Sequence, residues 1–472
     1  MAKPHVVVIG GGVAGLAAAA FLSAGRAEGA GSAGSAAGSG PVRVTVLEGS
    51  GRFGGKLLGG EVGGVRVDLG AESMLARRPE GVELARAAGL GELLEPPSTA
   101  KAAIWTAEGL RPLPGGQLMG VPGDLAALRE SGVLTPEGLR RVHDERPAEL
   151  GEDAPIGRYL TERLGREVVD RLVEPLLGGV YAGHADEISI RAAVPQLLEL
   201  ARRPGSLTAA IAELGSRATA AGPVFNGLRG GLGTLPDAVA AHARALGADL
   251  RTGHPVEALR RTPDGWRITA AGRELTADAV VLAVPAPQAA ALLEADASAA
   301  AAELRRIEYA SMALVTLAFR RADLADTPLT GSGFLVPPVD RRHIKASTFS
   351  SNKWGWLERS APDAFLLRTS LGRHHEDAAL QLDDAELVAR SLADLRTAVG
   401  LRATPYDRAV TRWTDGLPQY PVGHLDRVAR VRTRLDALGA VAVCGAAYDG
   451  VGIPAVVASA RRAATALLTP GT

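Results

Sequence analysis

Six residues near the N-terminus, Gly10-Gly11-Gly12-Val13-Ala14-Gly15, carry the spacing G-x-G-x-x-G. That spacing suits a dinucleotide pyrophosphate. The first glycine makes a tight turn, the second admits phosphate to the backbone, and the third lets a helix pack closely on a strand. The helix N-terminus then faces the negative charge. In a chain with 58 glycines the hexapeptide alone says little, so its context decides. It follows the apolar run 6–9 and opens a small-residue helix over 16–24, which is the order the motif requires. Glu48 supplies the acidic partner at the end of a second apolar run, 42–47. It stands 33 residues beyond Gly15, and twelve of those, 29–40, are only Gly, Ala and Ser. Such a stretch reads as a flexible surface loop. Without it the spacing is 21 residues, near the roughly 20 expected. A carboxylate there accepts a ribose hydroxyl and repels a 2′-phosphate.

Other chemistries find little support. Cys444 is the only cysteine, which excludes an internal disulfide and any multi-cysteine metal or iron–sulfur site. It ends an apolar run and reads as a core thiol. His374 and His375 are adjacent; neighbouring side chains on an extended segment point apart, so they read as a solvated pair, and no metal is expected. Lys plus Arg and Asp plus Glu are both 52, giving zero net charge. That balance excludes a general polyanion binder, and with it a nucleic-acid partner. With 46% hydrophobic residues the chain can build a core. The first residues run directly into 6–9, leaving no room for a secretory apolar region. No stretch of about 20 apolar residues exists; the best candidate, 280–302, is broken by Pro285, Pro287, Glu294 and Asp296. The expectation is a cytoplasmic protein with no transmembrane segment and at most peripheral contact with a membrane.

Elements must position these groups. From 76 to 220 the pattern is mainly helical. Leu160, Leu164, Val168, Leu172 and Leu176 recur every fourth residue among charged neighbours, which predicts one amphipathic helix closed by Gly178-Gly179. Beyond 224, strand signals return. Ala271-Gly272-Arg273 marks a hairpin, 280–285 reads as a buried strand, and 312–320, 333–337, 343–349 and 364–371 alternate like an antiparallel sheet. The chain ends with an apolar strand at 440–444, a glycine turn and a helix over 453–468. The fold class expected is α/β. A Rossmann-like domain would be built from 1–75, 221–300 and 430–472, a mainly helical domain from 76–220, and a substrate-binding domain with an antiparallel sheet from 301–429.

Further segments narrow the reading. Gly51-Arg52-Phe53-Gly54-Gly55-Lys56 and Asp68-Leu69-Gly70-Ala71-Glu72-Ser73 follow Glu48, and Cys444-Gly445-Ala446-Ala447-Tyr448-Asp449-Gly450-Val451-Gly452-Ile453-Pro454 lies near the C-terminus. Their order resembles the FAD-containing amine oxidase and protoporphyrinogen oxidase superfamily. Glu174-Pro175-Leu176-Leu177-Gly178-Gly179-Val180-Tyr181-Ala182-Gly183, the segment Leu228-Arg229-Gly230-Gly231-Leu232-Gly233, and Trp413 with Pro418-Gln419-Tyr420-Pro421-Val422-Gly423-His424 are similar to flavin-dependent porphyrinogen oxidases of the soluble, Gram-positive (actinobacterial) type. The resemblance spans nearly the whole chain. The loop at 29–40 departs from it, at a place that leaves the site intact.

This resemblance implies the oxidation of coproporphyrinogen III to coproporphyrin III in haem biosynthesis, in three two-electron steps with dioxygen as acceptor and peroxide as product. Protoporphyrinogen IX oxidation is the first alternative, and another flavin oxidase, such as an amine oxidase, is the second. The flavin carries the chemistry, so no catalytic side chain is assigned. Non-covalent FAD would contact Gly10, Gly11, Gly12, Val13, Ala14, Gly15, Glu48, Gly49, Arg52, Lys56, Gly70, Ala71, Glu72, Ser73, Val256, Trp413, Val451, Gly452 and Ile453. Val256 also fits from the residues themselves, in an extended stretch whose main chain can meet adenine. A substrate with four propionates needs cations. The chain has five lysines, Lys3, Lys56, Lys101, Lys345 and Lys353, so a lysine within a motif is informative. Arg78 and Lys353 are assigned to propionates and Tyr420 to the substrate wall. Transient contact with haem-pathway enzymes is the only protein partnership implied.

Overall fold

The computed structural model describes residues 3–25, 42–218, 222–327 and 329–468. The loop expected at 29–40 lies outside the described residues. Five parallel strands form the first sheet in the order Asp249–Arg251, Arg43–Leu47, His5–Ile9, Ala279–Leu282 and Val441–Val443. Four distant stretches of sequence thus supply one sheet. Its central strand is apolar on both sides because both sides are covered. Val6 and Val8 face helices Val13–Ala24, Leu235–Ala245 and Ile453–Leu468. Val7 and Ile9 face helices Ala286–Leu293, Ser298–Arg305 and His424–Leu438 and the hairpin built around Trp266. Ala17, Ala18, Ala19 and Ala20 let the first helix approach closely and are buried. That helix begins at Val13, three residues before the expected start. Gly12 caps it in extended geometry, so the third glycine of the motif lies inside the first turn.

The second sheet has seven strands in the order Asp407–Pro418, Tyr309–Arg320, Ala364–Leu371, Ala346–Thr348, Gly333–Leu335, Ala102–Thr106 and Gly109–Pro112. The antiparallel pairing expected around 312–371 is present. Two strands at 102–112 join it from within the stretch read as mainly helical, the first of them parallel to Gly333–Leu335. The hairpin at Ala271-Gly272 is also present, between Gly265–Ala270 and Arg273–Ala277.

The single helix expected over 160–176 is broken. Ile156–Leu164 ends at Gly165, whose φ is +101°. Arg166–Val168 follows, then a π turn, Val169–Val173, then Glu174–Tyr181. A strict four-residue repeat drifts around a helix of 3.6 residues per turn, and the wider π turn absorbs the drift. Leu160, Leu164, Val168 and Leu172 are buried as expected, Leu176 only partly, and Val169, Val173 and Leu177 join the buried face. Gly178-Gly179 does not close the last helix either; Ala182 does, in the left-handed conformation. Gly178 has another role, since a Cβ there would lie 2.2 Å from Nη1 of Arg373. Among the described residues no helix is long and apolar enough to cross a membrane.

Candidate active site

Three glycines of the first turn are required for different reasons. Gly10 has φ +106°, and a Cβ on it would meet the Ala283 carbonyl oxygen at 2.6 Å. On Gly15 a Cβ would lie 1.8 Å from the Gly10 carbonyl oxygen. Gly12 is neither strained nor crowded: its φ is −69°, and the nearest atom to its Cβ position is Gly55 Cα at 3.9 Å. No neighbouring protein atom explains that glycine; a ligand lying against the backbone does. Gly452 repeats the pattern at the start of Ile453–Leu468, with Pro454 Cδ at 3.9 Å its nearest neighbour. The turn that leads from the last strand to this helix touches the first helix start: the Ala14 methyl is 3.8 Å from the Cβ position of Gly445. Each helix start presents unpaired N–H groups and the positive end of its dipole.

Glu48 organises the adjoining turn. Its Oε2 accepts from Gly11 N at 2.7 Å and its Oε1 from Ser50 N at 2.8 Å. His254 N donates to the Glu48 carbonyl at 2.8 Å, and Gly49 packs on Pro255. Val256 therefore opens its strand, Val256–Thr262, beside Glu48 and Gly49, as the sequence reading required. Gly54 N donates to the Gly11 carbonyl at 2.9 Å. Arg52 turns inward and holds the backbone carbonyls of Phe53, Gly55 and Leu57, so it braces this loop. Lys56 is buried with its Nζ 6.0 Å from the centre of the Tyr309 ring; burial pushes its pKa down to about 8.

The 68–73 segment closes over this loop. A Cβ on Gly70 would lie 2.2 Å from the Lys56 carbonyl oxygen. Trp413 Nε1 donates to the Leu69 carbonyl at 3.0 Å, and Arg368 Nη1 to the Gly70 carbonyl at 2.7 Å. Ala71 is exposed and Ser73 half-buried. Glu72 is buried and meets Lys353 Nζ at 2.5 Å and Arg368 Nη2 at 3.3 Å. Burial opposes its charge, but those two cations outweigh burial and hold it down to about 2. Asp68 accepts from the backbone N–H groups of Leu232 and Gly233, yet burial dominates and pushes it up to about 6. These bonds tie the mid-chain glycine motif to the same site. Sequence reading missed Arg368, Asp68 and Tyr309. Asp68 had a signal, as the first residue of a recognised segment; Arg368 and Tyr309 had none.

The residues assigned to substrate differ in their surroundings. Lys353 is committed to Glu72. Arg78 caps helix Pro79–Ala87, is exposed, and pairs with Glu80 at 2.6 Å. Tyr420 is fully buried, stacks on His424 at 4.2 Å, and donates its hydroxyl to the Ala446 carbonyl. It braces the C-terminal glycine turn from within the core. Tyr420→Phe should therefore cost about 0.5–1.5 kcal/mol by removing one part-buried hydrogen bond, read as a lower denaturation midpoint with flavin loosened in parallel. An unchanged midpoint would remove the brace.

Cys444 is buried, and burial pushes its thiol up to about 12, as expected of a core thiol. The reading of His374 and His375 as a solvated pair holds for His375, which is exposed, and is corrected for His374, which is buried; the two rings lie 3.8 Å apart. His375 has φ +64°, which removes the alternation that would have separated them.

Two helix starts, the Glu48 carboxylate and a glycine cradle meet here, and known proteins share this chain's pattern. It is 36% identical over 474 residues to a protein of Mycobacterium leprae named coproporphyrinogen III oxidase, covering 99% of each chain. A Bacillus subtilis protein of the same name is 29% identical, with 99% of this chain and 98% of that one covered. The crystal structure of an Exiguobacterium sp. 255-15 protein, described provisionally as a protoporphyrinogen oxidase, superposes with a TM-score of 0.86 at 33% identity, covering 99% of each chain. The model of the flavin containing amine oxidoreductases matches residues 13–468, and the chain belongs to that family.

Proposed function

We propose that the protein is an FAD-dependent coproporphyrinogen III oxidase. The observation that carries this reading is the 36% identity, over 99% of both chains, to a protein of that name. The glycine cradle supports FAD within the flavin class, because Glu48 and the open face of Gly12 suit the ribose and pyrophosphate of a dinucleotide. Gly10 to Gly15, Glu48, Gly49 and Val256 would hold the adenosine and pyrophosphate end. Lys56, Gly70 to Ser73, Trp413 and Val451 to Ile453 would hold the flavin end, without a covalent bond. The bound flavin supplies the acceptor for two electrons and a proton; the protein supplies position and electrostatics.

The chain's own groups do the positioning. Lys56 keeps a positive charge at neutral pH, because its pKa stays near 8. The Glu72–Lys353–Arg368 cluster fixes the backbone of 70–73 through Arg368 and the Gly70 carbonyl. The Trp413 indole locks the preceding carbonyl. The parallel-sheet part, 1–75, 221–300 and 430–472, is assigned to the cofactor, 301–429 to the substrate, and 76–220 to a mainly helical unit. The cytoplasm is the assigned compartment, and dioxygen the acceptor.

Arg78 is the freer of the two cations assigned to propionates. The test is aerobic turnover of FAD-loaded protein on coproporphyrinogen III and protoporphyrinogen IX, followed by porphyrin fluorescence. Wild type should prefer the four-propionate substrate. Arg78→Ala should lower kcat/KM on coproporphyrinogen about fivefold, the worth of one solvent-exposed ion pair, and act less on protoporphyrinogen. An equal fall on both would remove Arg78 from the propionates. Turnover of neither, with flavin bound, would overturn the substrate and send the search to amines.

A further inference from the structure

The turn carrying His374 and His375 contains none of the residues assigned above to the flavin or the substrate. It is firmly held. His374 N donates to the Ala182 carbonyl at 2.7 Å, His184 Nε2 lies 2.9 Å from the His374 carbonyl, and Arg373 Nη2 donates to the Val336 carbonyl at 3.0 Å. The left-handed backbone at His375, a conformation in which histidine is enriched, turns both rings to one side. Glu187, 187 positions earlier, faces them. Its Oε2 is 3.3 Å from His374 Nδ1 and its Oε1 is 3.7 Å from His375 Nε2.

One ligand atom from each of these three residues lies within 4.8 Å of the other two. Two ligands of a tetrahedral zinc, each about 2.0–2.1 Å from the ion, stand roughly 3.4 Å apart, so a small contraction would complete the triangle. The remaining nitrogen of His374, Nε2, is 3.1 Å from Glu308 Oε2. A carboxylate there fixes the imidazole tautomer so that Nδ1 presents its lone pair, the arrangement that supports metal-bound histidines. Glu187 also lines a cavity of about 490 Å³ whose wall includes Glu174, Asp186 and Glu376. Glu174 is itself buried, and its Oε2 has no hydrogen-bond partner. Arg166 in the same wall is paired with Asp170 and Asp186, which leaves Glu174, Glu187 and Glu376 as the carboxylates that face an entering cation.

We infer that Glu187, His374 and His375 form a site for a divalent ion of the zinc class, with Glu308 as the positioning carboxylate and a water completing four ligands. Two imidazoles and one carboxylate suit zinc or cobalt better than magnesium or calcium, which take oxygen ligands. The ion would pin the 373–376 turn to the 182–188 segment.

The test uses the full-length, flavin-loaded protein, stripped with a chelator and titrated with zinc against a chromophoric competitor. Cobalt is then substituted to report geometry by its visible absorption. Wild type should take one equivalent and show the intense bands of a four-coordinate ion. His375→Asn, which keeps a residue tolerant of the left-handed conformation, should weaken binding at least tenfold. Glu308→Gln removes no ligand and should weaken it about 10–100-fold. His143→Asn, on an exposed helix end, should change nothing. Flavin content should stay at the wild-type level in all three variants. Absence of stoichiometric binding, or equal binding by wild type, His375→Asn and Glu308→Gln, would overturn the site and leave His374 as a bridge between two carboxylates.

Discussion

Gly12→Val should yield a folded, colourless protein, whereas Gly15→Ala should yield little folded protein at all. The two glycines belong to one motif, yet they face different neighbours. A methyl on Gly15 would lie 1.8 Å from the Gly10 carbonyl oxygen. Both atoms are backbone, one in the turn and one in the helix it opens, so neither can swing aside. Overpacking a core usually costs about 1–3 kcal/mol. A backbone overlap of this depth costs more, set against a net stability of about 5–15 kcal/mol. A Cβ on Gly12 would meet no protein atom closer than 3.9 Å, and its φ is one that any residue adopts. Valine there fills only the cradle. The flavin-free variant should unfold within a degree or two of flavin-free wild type. Its affinity for FAD should fall at least a hundredfold, about 3 kcal/mol. Fluorescence titration of the apoproteins with FAD, beside their thermal midpoints, separates the two effects. A Gly12→Val protein purified with full flavin would show that the pyrophosphate lies elsewhere.

That contrast also marks what could be read from residues alone. The strand–turn–helix at 5–24 was legible because its signals are local: a continuous apolar run, three glycines at fixed spacing, then small helix formers. Four of the five parallel strands followed from apolar runs; the edge strand Asp249–Arg251 did not. The place of Glu48 beside the glycine turn was legible too, once 29–40 was set aside as a loop. The orientation of Arg52 was not. It sits in a recognised segment, but its guanidinium folds back onto three carbonyls, a choice made by the shape of the loop. Glu72 and Lys353 were each assigned a ligand, and the structure pairs them with each other across 281 positions. Arg368 completes that cluster, and no local pattern announces it. The π turn at Val169–Val173 and the left-handed His375 are backbone departures that a periodic pattern averages away.

The Glu72 cluster gives the second large effect. Glu72→Gln in the flavin-loaded protein should lower stability by about 3–5 kcal/mol, the cost of breaking a buried ion pair from one side. The Lys353 and Arg368 side chains are only 19% and 15% exposed, so water cannot replace the lost carboxylate. Lys353→Met added to Glu72→Gln removes one stranded cation, and the double variant should be less destabilised than the sum of the singles by about 1–3 kcal/mol. The pH profile carries an independent signature. Glu72 titrates near 2 in the folded chain against an ordinary 4.5. Its contribution is therefore present above pH 4.5 and is lost as pH falls toward 2. Asp68 has the opposite sign, near 6 against 3.8. Its contribution is present below pH 3.8 and is lost as pH rises through 6. Denaturation midpoints of wild type should thus rise with pH on the acid side through Glu72 and fall between about pH 4 and 6 through Asp68. Glu72→Gln should flatten the acid limb and, by removing a like charge that helps to raise Asp68, soften the upper limb in part, whereas Asp68→Asn should flatten the upper limb and leave the acid limb in place. If Glu72→Gln leaves the acid limb as steep as before, the carboxylate is not the charged centre of this cluster, and the backbone of 70–73 is held by Trp413 and the Arg368–Gly70 bond without it.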